Sequence, residues 1–345
     1  MNKIISQVAF GVLIISLVLT GCAPAVSTPV GPTPTSAPIK IKAGVPLNLS
    51  NGAFFIAQEE GFFAEQGLDV EFVTLASSSR AVPLLISGDL DMLAGQISVA
   101  HFNAMQHDTH VRIVADKGSF EPGACASASL LVSPDFLKTH PLNGPADLKG
   151  LRVNLASPTG FSGYQMTEFL ARGNLTFADV QLQNLDSAAE LAAFEQGLVD
   201  VVYLAEPALT KEVLAGKAVV WQTADQLVAD KQIAFVVYGP TLIDKNLEAG
   251  QRFMVAYLKA VRQYNQGKTD RNLDIIAKYT QLDRALLGQA CWQFIRNDGH
   301  IDIPSLVHFQ AWAVKNKSLE AAIPPEVFWD QRFIDYANQV LSSGK

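Results

Sequence analysis

The sequence predicts an α/β protein of two Rossmann-like lobes joined by a two-strand hinge. Beyond residue 38, short apolar runs alternate with helical periods, a pattern typical of parallel βαβ units. The same series of elements returns after about 110 residues, which indicates a duplicated unit. The chain has 345 residues, 49% hydrophobic and 17% charged, so it is long enough to build two cores.

Residues 1–21 are predicted to be a lipoprotein signal peptide. Lys3 gives a positive start, and the apolar run from Val8 to Leu19 is too short to span a bilayer comfortably. The run leads into Leu19-Thr20-Gly21-Cys22, which resembles the lipobox of bacterial lipoproteins. The resemblance implies cleavage before Cys22 and acylation of Cys22, so the protein is expected at the extracytoplasmic face of the cell membrane. An ordinary secretory signal with an incidental cysteine is the alternative.

Residues 22–38 are predicted to be a tether. Five of the sixteen residues from Ala23 to Pro38 are proline, and none is charged. Such a segment cannot build a core and favours extended conformations of roughly 3 Å per residue. We therefore expect it to hold the folded body away from the membrane.

The first lobe is predicted to begin with three strands that alternate with helices. A serine cluster precedes the second helix and a glycine follows it, as is typical of helix ends. The strands are Ile39 to Val45, Asp69 to Leu75 and Asp91 to Ala94, and the helices run through Phe54 and Ala57 and from Ser77 to Gly88.

The second lobe repeats this order. Strand-like runs lie at Leu151 to Leu155 and at Asp179 to Leu185. The clearest echo is a Gly-x-x-Asp sequence, Gly88 to Asp91 in one lobe and Gly197 to Asp200 in the other. In both, a helix ends on glycine and an aspartate opens a strand three residues later.

The lobes are predicted to be interleaved along the chain. Val111 to Ala115 and Ile233 to Tyr238 are strand-like runs placed where a lobe should end, and they are interpreted as the hinge. The chain is helical after Gly239-Pro240. We therefore expect residues 39–118 plus 239–345 in lobe one, and residues 119–238 in lobe two.

These segments resemble a known family. Ala53 to Phe63 (Ala-Phe-Phe-Ile-Ala-Gln-Glu-Glu-Gly-Phe-Phe), followed by Gly67-Leu68-Asp69-Val70, is similar to the opening of solute-binding proteins for sulfonates and thiamine-type pyrimidines. Asp147 to Gly150 and Glu206-Pro207 also fit. The resemblance covers residues 39–207 and implies a type II periplasmic-binding fold without catalysis. It also implies a small-molecule ligand, with an ABC importer permease and its ATPase as partners.

Composition argues against other partners and groups. A net charge of −7 without a long Lys/Arg run argues against nucleic acid. We expect a monomer with no cofactor. We also expect no metal, because His101, His107 and His110 lack a further residue to complete a ligand set. Cys125 and Cys291 are either a disulfide or two buried thiols.

Open α/β sheets bind ligands beyond the carboxyl ends of their strands, so the cleft between the lobes is the predicted site. Amide side chains there would hydrogen-bond a polar ligand, glycine would let the backbone approach it, and aromatic rings would stack on it. Phe54 and Phe55 are adjacent, so one is expected to face the cleft. The candidates from lobe one are Asn48, Asn51, Phe54, Phe55, Gly95, Gln96 and Asp116, with helix capping as the alternative role of Asn51.

The candidates from lobe two follow two of its strands. A turn at a helix start offers free N–H groups to acceptor oxygens. Glu206 would pair with an N–H donor or a cation of the ligand; a salt bridge to lobe one is the alternative. The candidates are Ser157, Thr159, Gly160, Phe161, Tyr164, Tyr203 and Glu206.

The expected ligand is a small flat heterocycle. Within the family this indicates a riboflavin-like vitamin or a thiamine-pyrimidine precursor, since aromatic residues occur on both predicted walls. An alkanesulfonate or taurine is the alternative, with Arg80 and the turn from Ser157 to Gly160 as the anion site. A pyrimidine-synthesis enzyme on the same fold and a purely structural lipoprotein are hypotheses of other classes.

Overall fold

The computed structural model describes residues 37–75, 77–107, 110–121, 123–155, 157–185 and 187–343. The predicted signal peptide, Cys22 and nearly all of the tether lie outside the described residues. Two five-stranded sheets form the described fold, and apolar side chains are buried against helices on both faces of each sheet. None of the described helices has the length and apolar character that a membrane span needs.

From Ile39 the chain forms lobe one, the part built on the first sheet. The elements in order are β1 (Ile39–Gly44), α1 (Gly52–Glu59), α2 (Phe62–Glu65), β2 (Leu68–Val73), α3 (Val82–Ser87), β3 (Met92–Gln96), α4 (Val99–His107) and β4 (Arg112–Ser119).

The chain then forms lobe two on the second sheet. The elements in order are β5 (Ala128–Val132), α5 (Pro134–Thr139), β6 (Arg152–Asn154), α6 (Phe161–Arg172), β7 (Gln181–Gln183), α7 (Ser187–Glu195), β8 (Val201–Ala205), α8 (Ala208–Leu214), β9 (Val219–Thr223) and α9 (Ala224–Leu227).

The chain finally returns to lobe one, and most of the C-terminal helices pack on that lobe. The elements in order are β10 (Gln232–Tyr238), α10 (Leu247–Tyr264), α11 (Asp270–Thr280), α12 (Arg284–Gln289), α13 (Ile303–Lys315), α14 (Pro325–Phe328) and α15 (Arg332–Ser342).

The two sheets have the same design. Their strand orders are β2-β1-β3-β10-β4 and β7-β6-β8-β5-β9. In each, the first three strands are parallel and the fourth is antiparallel to both of its neighbours. The predicted α/β fold of two similar lobes is therefore confirmed.

The predicted boundary of lobe two needs one correction. Gln232–Tyr238, placed at its end, is instead β10 and pairs with β3 and β4 in the first sheet. The strand is fully buried there, so its apolar run reflects a central position in a sheet. The chain thus crosses between lobes in two short connections, residues 120–127 and 228–231.

The Gly-x-x-Asp echo has the same structural cause in both lobes. Asp91 Oδ2 accepts a hydrogen bond of 2.7 Å from the backbone N of Lys42, and Asp200 Oδ2 accepts one of 2.8 Å from the backbone N of Arg152. Gly88 precedes its aspartate with φ +80° and Gly197 with φ +69°, a left-handed conformation that glycine tolerates best. Each aspartate thereby fixes the start of its strand beside a parallel neighbour, β3 beside β1 in lobe one and β8 beside β6 in lobe two.

Candidate ligand-binding site

A cavity of about 460 Å³ lies between the lobes, at the edges of the sheets where the sequence predicts the cleft. Its walls come from the loops after β1 and β2, from the ends of β3, β4 and β8, from the starts of β5 and β10, from the first connection, and from the segment after α12. Five predicted residues line it: Asn48, Asn51, Gln96, Tyr203 and Glu206. Their contact with a ligand stays a prediction.

The loop after β1 supplies a wall of amide and hydroxyl groups. Asn51 is 2% exposed, and its Nδ2 donates to the Pro46 carbonyl at 2.8 Å and to Asn48 Oδ1 at 3.0 Å. Ser50 Oγ donates to the same Asn48 oxygen at 2.9 Å. Asn51 makes no side-chain cap bond, so the loop's own network, rather than helix capping, fixes its amide.

Lys117 brings a buried positive charge to this wall. It is 4% exposed, and its Nζ lies 3.4 Å from Ser50 Oγ and 3.5 Å from Ser50 O. Among the described residues, no carboxylate forms an ion pair with it. Burial lowers the pKa of Lys117 to about 8, although the nearby charge of Asp116 opposes this shift. The cavity therefore contains an ammonium group that makes no direct contact with a carboxylate in the described part of the chain.

Asp116 does not face the cavity. It is fully buried, and its carboxylate accepts hydrogen bonds from Gly118 N (2.9 Å), Ser119 Oγ (3.0 Å), Gln232 Nε2 (2.6 Å) and Arg296 N (2.7 Å). Burial raises its pKa. Asp116 thus ties β4 to β10 and to the segment before α13, which corrects its prediction as a ligand-binding residue.

The wall from lobe two is formed by the end of β8. The Tyr203 hydroxyl donates to Gln165 Oε1 at 2.8 Å, and burial raises its pKa. Glu206 Oε1 accepts from Thr210 Oγ1 at 2.8 Å and from the backbone N of Cys291 at 2.9 Å. The protein itself thus supplies partners for this carboxylate, and one of them reaches it from lobe one.

Both phenylalanines of α1 are buried, so neither faces the cleft. Phe54 stacks on Tyr257 with ring centroids 4.7 Å apart, and Phe55 stacks on Tyr279 at 4.9 Å. The expectation that one of these rings would face the cleft is wrong, because other elements cover α1 on more than one side. The sheet lies on one side of the helix, and α10 and α11 lie on the others.

Gly95 packs away from the cavity. A Cβ at this position would lie 2.9 Å from His101 Nε2 and 3.3 Å from the Phe235 ring. The glycine therefore makes room for two buried rings, and the expected approach of its backbone to a ligand is not what the structure shows.

The turn and helix from Ser157 to Tyr164 dock on lobe one instead of lining the cavity. Gly160 forms a β-bridge with Ser98. The rings of Phe161 and Tyr164 join the apolar core of lobe one, and the Tyr164 hydroxyl donates to Asp230. Ser157 and Thr159 are exposed beside this contact. The predicted stacking residues are thus interlobe packing residues, because a closed cleft buries them.

Several lining residues were missed by sequence reasoning. Ser77 and Ser78 face the cavity, whereas Arg80, the alternative anion-binding residue, is exposed elsewhere on the same turn. Lys117 could have been found in the sequence as an isolated cation near the end of an apolar strand. Phe120 and Gln293 lie in irregular segments and gave no signal.

The two cysteines form a disulfide with Cα atoms 5.8 Å apart, and Cys291 lines the cavity. His101 is a core histidine: its Nδ1 lies 2.8 Å from Ser98 Oγ, and burial lowers its pKa to about 4. Within the described ranges, no three His, Cys, Asp or Glu side chains come together as a metal site.

Two similar lobes with a polar cavity between them have the arrangement of two-lobed binding folds. The chain belongs to the NMT1/THI5-like family, whose model matches residues 48–266, more than half of the sequence. No curated protein matches the chain.

Solved structures share the fold at low identity. The periplasmic sulfonate-binding protein SsuA from Methylobacillus flagellatus KT is 18% identical with a TM-score of 0.70, covering 89% of this chain and 96% of that one. The periplasmic nitrate-binding protein NrtA from Synechocystis PCC 6803 is 16% identical with a TM-score of 0.70, covering 88% and 89%. The desulfurization enzyme DSZB is 14% identical with a TM-score of 0.63, covering 89% and 100%. Binding proteins and an enzyme thus have this architecture in common.

Proposed function

We propose that the chain is the extracytoplasmic solute-binding component of an ABC importer, and that its ligand carries an anionic or strongly accepting group. The observation that carries the ligand class is the buried ammonium of Lys117, which forms no ion pair among the described residues. A buried charge without a counter-ion is costly, and an anion bound beside it would offset that cost.

The support for transport is the family, the two-lobed fold and the names of the neighbours that share it. A permease and its ATPase would be the partners, and the protein would act as a monomer. We propose no catalysis. Cys291 is held in a disulfide, and within the described residues the serines that line the cavity hydrogen-bond to no histidine.

A flat heterocycle is the second candidate ligand, because the rings of Tyr203 and Phe120 do line the cavity. A riboflavin-like vitamin or a thiamine-pyrimidine precursor would stack there and direct its acceptor atoms toward Lys117. This candidate has less aromatic support than the sequence suggested, since the four other predicted rings, Phe54, Phe55, Phe161 and Tyr164, pack elsewhere.

Ligand identification tests both candidates. The full chain is purified, any bound small molecule is extracted and identified by mass spectrometry, and riboflavin, a thiamine pyrimidine, taurine and an alkanesulfonate are titrated. Tight binding of a sulfonate supports the anion. Quenching of riboflavin fluorescence at micromolar protein supports the heterocycle instead. Failure to bind any of these compounds or any extracted small molecule, or conversion of one of them to product, would overturn the proposal.

The lipid anchor is a separate part of the proposal and rests on the lipobox-like Leu19-Thr20-Gly21-Cys22. Cys22→Ala should move the protein from the membrane fraction to the soluble fraction, because the acylated thiol would be lost. Continued membrane attachment of this variant would refute the anchor while leaving ligand binding untouched.

A further inference from the structure

We propose that the Cys125–Cys291 disulfide shortens the hinge of this protein and thereby limits how far the cleft opens. The cross-link fixes the first connection to lobe one at Cys125, so that only Ala126 and Ser127 separate it from β5. The inference does not depend on which ligand the cavity takes.

The start of the first connection is already held by lobe one and by the second connection. Ser119 N donates to the Phe294 carbonyl at 2.9 Å, and Phe120 N donates to the Lys231 carbonyl at 2.7 Å. Its end is held by lobe two, because Glu206 N donates to the Ser127 carbonyl at 2.9 Å. Without the disulfide, seven residues instead of two would separate the last point held at Phe120 from β5.

The other end of the cross-link sits in a firm part of lobe one. Next to Cys291, the Trp292 ring stacks on Tyr264 with centroids 5.3 Å apart, and its Nε1 donates to the Leu287 carbonyl at 3.0 Å. Trp292 belongs to the apolar core of lobe one. A force on Cys125 is therefore transmitted to a packed core instead of a loop.

The cross-link also meets the contact that closes the cleft. The backbone N of Cys291 donates to Glu206 Oε1 of lobe two at 2.9 Å. The disulfide thus links two features at one point. Cys291 donates the interlobe hydrogen bond, and Cys125 belongs to the first connection between the lobes. The second connection, residues 228–231, contains no cysteine, so this restraint acts on one side only.

Two glycine insertions into the full chain, in the ligand-free state, separate this mechanism from a general loop effect. Gly-Gly inserted between Cys125 and Ala126 lengthens the chain between the cross-link and β5 from two residues to four. Gly-Gly inserted between the exposed Gly123 and Ala124 lengthens only the loop that the disulfide closes. Hydrogen exchange of the Cys291 amide, which bonds to Glu206 when the cleft is closed, measures opening.

The insertion after Cys125 should speed exchange of this amide about threefold, because closing a loop of twice the length is entropically that much less favourable. The insertion before Cys125 should leave the exchange rate at the wild-type value. Equal acceleration by both insertions, or by neither, would overturn the proposal.

The variant Cys125→Ser/Cys291→Ser provides a second measurement in case an insertion prevents folding. Removing the cross-link frees the stretch from residue 121, so exchange at residue 291 should speed up about sixfold. An unchanged rate in a folded double variant would also overturn the proposal. Ligand identity enters none of these readouts, so their failure would leave the proposed transport function standing.

Discussion

At the residue scale, Asp116 and Lys117 show how one position along a strand decides a function. Neighbouring residues of a strand point to opposite faces. Asp116 therefore enters the buried polar cluster around Gln232, while Lys117 reaches the cavity beside Ser50. Sequence reasoning named Asp116 as a candidate and missed Lys117, because the face to which a strand residue points is not visible without the strand's partners.

Replacing Lys117 tests its role directly. Lys117→Met should weaken binding of an anionic ligand about tenfold to a hundredfold, the value of a hydrogen bond to a charged group. Affinity in the wild type should also fall as the pH rises above about 8, where the ammonium of the empty cavity loses its proton. Calorimetric titrations from pH 7 to 10 measure both effects. Lys117→Arg is the control, since it keeps the charge and should remove the pH dependence; equal affinities of Lys117→Met and wild type would contradict the proposed role.

The raised pKa of Glu190 predicts how the free energy of unfolding changes with pH. Burial raises its pKa from 4.5 to about 7, although Asn154 Nδ2 donates to it at 2.7 Å. The folded state thus holds this proton more tightly than the unfolded state. The free energy of unfolding should fall by about 3 kcal/mol as the pH rises from about 4.5 to about 7, and stay low above that.

Glu190→Gln should remove this loss, because the amide keeps an acceptor oxygen for Asn154 and carries no charge. Urea denaturation at pH 5 and pH 8 measures the difference, and the exposed Glu326→Gln serves as the matched control. A pH dependence that persists unchanged in Glu190→Gln would show that another group is responsible.

At the element scale, α1 and α6 explain why the aromatic residues were misplaced. A helix covered on two sides buries adjacent residues, and a helix that docks on the other lobe buries residues that look like cleft residues. Both situations depend on elements distant in sequence, α10 and α11 for α1 and α13 for α6. Local periodicity does not contain that information.

Phe55→Ala should therefore act on stability and not on binding. The ring is fully buried against Tyr279, and its removal should cost about 3–5 kcal/mol of unfolding free energy. Ligand affinity of the folded variant should stay within about twofold of wild type, since the ring does not line the cavity. Chemical denaturation and calorimetry measure the two quantities. The exposed Leu84→Ala is the control for stability, and a selective loss of affinity in Phe55→Ala would return this residue to the cleft.

At the scale of the whole molecule, contacts on the hinge side hold the lobes closed. Tyr164 of α6 donates to Asp230 in the second connection, and His308 Nδ1 of α13 lies 2.8 Å from the same carboxylate. Lobe two, the connection and lobe one thus meet at one side chain. The hydrogen bond between Tyr164 and Asp230 is shielded from solvent, because Tyr164 is only 4% exposed.

Tyr164→Phe should speed ligand release about tenfold, because it removes one hydrogen bond to a charged group while keeping the ring. Stopped-flow measurement of release and association separates the two rates, and association should change little. Tyr336→Phe, at an exposed position of α15, is the control. Release at the wild-type rate in Tyr164→Phe would remove this contact from the closing mechanism.

The sequence allowed the duplicated α/β fold and the position of the cavity to be predicted, because strand ends and Gly-x-x-Asp turns are local signals. Five predicted site residues, Asn48, Asn51, Gln96, Tyr203 and Glu206, line that cavity. The membership of β10 in the first sheet could not be predicted, since pairing with β3 and β4 joins segments more than a hundred residues apart.

That pairing also sets an order of folding. β4 is the edge strand of the first sheet, and β10 is its only sheet partner among the described strands. During synthesis from the N-terminus, β4 cannot pair within the sheet until β10 (Gln232–Tyr238) has been made. Every strand of the second sheet, from β5 to β9, is complete by Thr223. The inserted lobe can therefore mature on contiguous chain, while the lobe that starts first is finished last.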